Sequence, residues 1–70
     1  MAYKVKYEDW SRNEYSIDEY ESEEVAERAI DEEMERLKEQ LLDHFYVDTE
    51  KKTEIWSHGE RWASWTRLWK

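Results

Sequence analysis

The spacing of apolar residues changes period twice along the chain, and that leaves few folds open to it. Tyr3, Val5 and Tyr7 alternate with Lys4, Lys6 and Glu8, the period of two of a half-buried strand. Ser11-Arg12-Asn13 breaks the pattern, and Asn tolerates the left-handed backbone of a tight loop. The alternation resumes over residues 14–20, with Tyr15 and Ile17 on one side. A three-residue loop predicts Tyr7 opposite Ile17 and Lys6 opposite Asp18, so that apolar meets apolar inside and opposite charges meet outside.

From Ser22 the period lengthens. Ala26, Ile30, Met34, Leu37, Leu41 and Phe45 recur at spacings of three and four, the stripe of an amphipathic helix over residues 22–43. Ser22 is placed to cap it, and Glu23 and Glu24 suit the positive end of its dipole. Glu27, Asp31, Glu35 and Glu39 form an acidic ridge away from the stripe, and Glu24–Arg28 and Glu32–Arg36 are i,i+4 pairs.

Residues 45–52 read as a connection with strand character at its start. Strands over 52–57 and 60–69 then flank His58-Gly59, where the chain's single glycine supplies positive φ for a hairpin. The rival is a helix, with Ser57 and Glu60 as a capping box and Trp62, Trp65 and Trp69 at i, i+3 and i+7. The hairpin is preferred because Trp and Thr suit strands and a helix would leave 53–56 unpaired. The predicted fold is α+β, in the order ββαββ, with one helix packed across an antiparallel sheet of two hairpins. It forms a single domain over residues 1–70.

A 70-residue chain with no cysteine has neither disulfides nor thiolate metal sites to stabilise it. Its five Trp, five Tyr and Phe45 are the available substitute, each large aromatic burying roughly 150–250 Å². The first fifty residues hold six Lys and Arg against seventeen Asp and Glu, whereas the last twenty hold five against two. Asymmetry of this kind suits an interaction protein. The N-terminus has no apolar run of the signal-peptide type, and no stretch approaches the ~18–20 apolar residues of a membrane span. The expected location is cytoplasmic, with no membrane contact.

Simple alternation from the His58-Gly59 turn opposes Ile55 with Trp62 and Trp56 with Arg61. Thr53, Ile55, Trp62, Ser64, Thr66 and Leu68 then form an uncharged face toward the helix. The other face gathers Trp10, Tyr20, Trp56, Arg61, Trp65, Arg67 and Trp69. These are the candidate binding residues, because interface hot spots favour Trp, Tyr and Arg. Arg61 over Trp56 is the expected shield if the face stays in water.

Catalysis finds no footing. Ser57 and His58 are adjacent and point apart on a strand, and no carboxylate stands in an apolar setting that would single out a general acid. His44, Asp48 and Glu50 match no metal-site spacing, so His44 is expected to cap the helix or sit half-buried. No catalytic residue, metal or cofactor is predicted. The expectation is a non-catalytic binding module whose partner is another protein or a second copy of the chain. Nucleic acid is disfavoured by the net charge of −8, although a Trp/Arg face could stack single-stranded bases. The acidic ridge offers the reverse possibility, imitation of a phosphate row in an inhibitor. Small acidic inhibitors encoded by bacteriophages are similar in size, charge and compactness, and no motif ties this chain to them.

Overall fold

The computed structural model describes residues 2–70. Strands β1 (Tyr3–Asp9) and β2 (Glu14–Tyr20) precede helix α1 (Glu23–Gln40), and β3 (Phe45–Asp48), β4 (Lys52–Ser57) and β5 (Glu60–Arg67) follow it. The strands form one antiparallel sheet in the order β2-β1-β5-β4-β3, so the last strand closes the gap between the two hairpins. The α+β architecture with one helix on one face is as predicted, with one strand more than expected. β3 occupies the segment read as a connection, because Phe45-Tyr46-Val47 is a β-prone run that pairs with β4.

Helix α1 begins as its sequence dictates, with the Ser22 hydroxyl accepting from the Val25 N–H at 3.2 Å. Ala26 and Ile30 are buried, and Met34, Leu37 and Leu41 pack beside them. The helix stops at Gln40 rather than 43. His44 Nδ1 lies 3.1 Å from the Leu41 carbonyl and caps that end. Phe45 therefore leaves the helical stripe and joins the sheet.

Two register changes decide which side chains face the helix. In the first hairpin the loop is Trp10-Ser11-Arg12-Asn13, one residue longer than predicted. The Asp9 carboxylate holds it by accepting from the Ser11 and Arg12 N–H groups at 3.1 and 3.2 Å, with Asn13 at φ 56°. Tyr7 consequently pairs with Ser16 and Lys6 with Ile17, which turns Tyr15 and Ile17 away from the helix.

The second change is a bulge. His58 and Gly59 both have positive φ (52° and 76°), as a two-residue hairpin turn of type I′ requires, and Trp56 opposes Arg61 as predicted. The next pair is Ile55 with Ala63, so Trp62 is an extra residue on β5. Beyond it the predicted faces are exchanged. Ala63, Trp65 and Arg67 turn toward the helix, while Ser64 and Thr66 pair with Glu54 and Lys52 on the open side. The core is Val5, Ala26, Ile30, Ile55, Ala63 and Trp65.

Candidate functional site: the open face of the sheet

Of the seven predicted binding residues, three lie on the face away from the helix: Trp10, Trp56 and Arg61. The other four belong to the helix side. Trp65 is 1% exposed and donates its indole N–H to Glu33 of α1 at 2.9 Å. Arg67 is also buried and grips Glu27 with two hydrogen bonds, Nε to Oε2 at 2.5 Å and Nη2 to Oε1 at 2.8 Å. Trp69 packs edge-on against Tyr3, ring centroids 5.5 Å apart, and Tyr20 is paired with Tyr3 across the first hairpin. The bulge at Trp62 and the longer first loop are the physical reasons. Trp62 itself packs against the core, as expected.

The Arg67–Glu27 pair sets the charge state of both groups. The Arg67 hydrogen bonds, more than its charge at a distance, hold the Glu27 carboxyl below its ordinary value. The same bonds raise Arg67. Burial raises the phenols of Tyr7 and Tyr20, with nearby carboxylates adding to it. The acidic ridge is thus divided. Glu27 is committed to the sheet, Glu35 pairs with Lys38 at 3.1 Å, and Asp31 and Glu39 are exposed.

On the open face, β1, β5 and β4 build a layer one side chain deep. The Arg61 guanidinium lies 3.7 Å from the centroid of Trp10 and donates to Glu54 at 2.8 Å. Trp10 reaches back to the Ser64 hydroxyl at 3.0 Å and covers it. Arg61 was expected over Trp56. It finds Trp10 instead, because Trp56 is already stacked by Phe45, centroids 6.0 Å apart with ring planes within 19°. Apolar side chains remain in water at the two ends of this face. Tyr15 (69% exposed) and Ile17 (51%) stand on β2, and Phe45 (51%) and Val47 (40%) on β3.

Charge on this face is balanced. By register it carries Lys4, Lys6, Lys52 and Arg61 against Glu8, Glu19 and Glu54. The acidic excess of a chain at −8 therefore lies on its other surfaces. Alternation placed Glu54 on this face and missed Phe45, Val47 and Tyr15. One sign of the exchanged faces was present in the sequence: Glu33 follows Ala26 by seven and Ile30 by three, so a carboxylate sits within the apolar spacing and needs a buried donor opposite.

The Ser57 hydroxyl is buried and donates to the Asp43 carbonyl, while His58 projects from the turn, so the two form no nucleophile–base pair. Among the described residues no three His, Asp or Glu side chains are grouped to hold a metal ion, and no helix is long and apolar enough to cross a membrane. The chain matches no protein-family model, no curated protein and no solved structure.

Proposed function

We propose that this protein is a non-catalytic binding module that docks another protein on the open face of its sheet, at the end formed by β3. Phe45, Trp56 and Val47 are the contact core, and Trp10, Arg61 and Glu54 form its polar margin. The observation that carries this reading is the stacking of exposed Phe45 on half-buried Trp56, on the one face where charge is balanced. Interface cores are aromatic and poor in charge, and a clustered apolar patch in water is the usual mark of one. The test is capture from lysate of the source cells with the wild-type chain and with Phe45→Ser, Val47→Ser. Loss of a specific partner with the variant supports the face. A partner retained by the variant and lost on charge reversal of the helix overturns it.

A second reading, an acidic inhibitor or nucleic-acid mimic, draws on the segregation of negative charge to the helix side. It would act through Asp31, Glu35 and Glu39, since Glu27 is occupied by Arg67. Lysine at those three positions would abolish its binding and leave face-dependent capture unchanged. Single-stranded nucleic-acid binding draws less support, because Trp65, Trp69 and Tyr20 belong to the helix side and cannot join a stacking platform.

A further inference from the structure

The two edges of the sheet are unlike. β2 guards one edge with Glu14, Asp18 and Glu19, the charged protection that edge strands need against pairing with another chain. β3 is exposed along its length and carries a single charge, Asp48, whose carboxylate already accepts from the Thr53 hydroxyl at 2.7 Å. The turn into β4 shows which of its main-chain groups are open. The Thr49 N–H donates to the Lys52 carbonyl at 2.8 Å. Hydrogen-bonded and non-hydrogen-bonded pairs alternate along an antiparallel ladder. Val47 and Phe45 therefore direct their amides to β4, and Tyr46 and Asp48 direct theirs to the open edge.

We propose that β3 pairs antiparallel with β3 of a second copy about a two-fold axis at Tyr46, joining two five-stranded sheets into one. This rests on the reading of the β3 end as a protein contact and names the partner. The segment His44-Phe45-Tyr46-Val47-Asp48 is complementary to itself when reversed. Tyr46 meets the partner's Tyr46 and exchanges main-chain hydrogen bonds with it. Phe45 opposes the partner's Val47 in a non-hydrogen-bonded pair, the closer kind, and extends the apolar patch of the open face across the axis. His44 opposes the partner's Asp48, an imidazole against a carboxylate. Centring the axis on Val47 instead would set Phe45 against polar Thr49 and Asp48 against tyrosine, so the Tyr46 register is selected. Self-complementarity of this kind is what a two-fold interface demands.

Sedimentation of the wild-type chain between about 10 µM and 1 mM should show a monomer–dimer equilibrium, as a small contact gives. It should tighten with added salt, which screens the repulsion between two copies at −8. Tyr46→Pro removes the central donor while sparing the ladder to β4, since proline is tolerated on an edge whose N–H faces water. It should weaken dimerisation by about tenfold or more, and Tyr46→Ala, which keeps the donor, by much less. His44→Asp alone and Asp48→Lys alone should each self-associate poorly, whereas their mixture should form a heterodimer, because only the mixed pair meets with opposite charges. A wild-type chain that stays monomeric throughout overturns the proposal and leaves docking of a different protein to the capture test. A dimer indifferent to Tyr46→Pro, or a mixture no tighter than its components, overturns the β3 pairing while a face contact stands.

Discussion

Both faces of the sheet use tryptophan, arginine and glutamate, as two separate pairs on the helix side and as one cluster on the open side, and the two sets have different work. Beneath the helix, Trp65 and Arg67 reach up to Glu33 and Glu27 and fasten α1 to β5. On the open side, Arg61 and Glu54 belong to the sheet and Trp10 to the loop that follows β1, and together they lie over the sheet as a layer that reaches water. Hydrogen bonds and ion pairs strengthen as water is excluded, and a buried group deprived of its partner is costly. The same three residue types therefore hold elements together where they are buried and only dress a surface where they are not.

The bulge that separates these roles gives the largest contrast. Deletion of Ser64 moves Trp65 and Arg67 to the open face, and loss of the folded circular-dichroism spectrum is expected. Deletion of Trp62 removes the extra residue, keeps the Ile55–Ala63 and Trp56–Arg61 pairs, and should leave a folded protein. If both variants behave alike, the bulge does not set the faces. Next in size, Trp65→Ala should cost about 3–5 kcal/mol in denaturant unfolding, against roughly 1–2 for half-buried Trp10→Ala. A domain this small has little more than the first figure in total.

Third, Arg67→Ala should cost about 2–3 kcal/mol, less than a fully enclosed pair because Glu27 keeps some water. Arg67→Met should recover much of that loss. Arg61→Ala should cost about 1 kcal/mol or less, and equal costs at the two arginines would erase the distinction between the faces. The smallest effect is in acid. Because the folded Glu27 value lies below its ordinary value near 4.5, its contribution is present above that pH and is lost as pH falls through the depressed folded value. Glu27→Gln should flatten the acid limb of a stability profile in that window, and an unchanged limb would mean that the pair contributes nothing there.

The elements were legible because each is encoded locally. The Ser22 cap, the stripe from Ala26 to Leu41 and the His58-Gly59 turn lie where the spacing of residues put them. β3 was half legible, as a β-prone run too short to separate from a loop before its partner strand was known. The site was much less so. Trp10, Trp56 and Arg61 were placed on the correct face, whereas Trp65, Arg67, Trp69 and Tyr20 were placed on the wrong one. One additional residue in the first loop and one at Trp62 account for Ile17, Tyr15, Trp65 and Arg67, since a shift of one residue inverts every later side chain on a strand.

By itself the sequence determined the order of the helix and four of the five strands, the apolar stripe that covers one face, and the turn that pairs Trp56 with Arg61. These follow from period, capping and backbone conformation, which act over a few residues. Only the tertiary structure decided which tryptophan is core and which is surface. That choice depends on burying Trp65 and Arg67 where Glu33 and Glu27, more than thirty residues away, can accept their hydrogen bonds. A bulge is a small local cost when weighed against leaving a buried indole and guanidinium without partners.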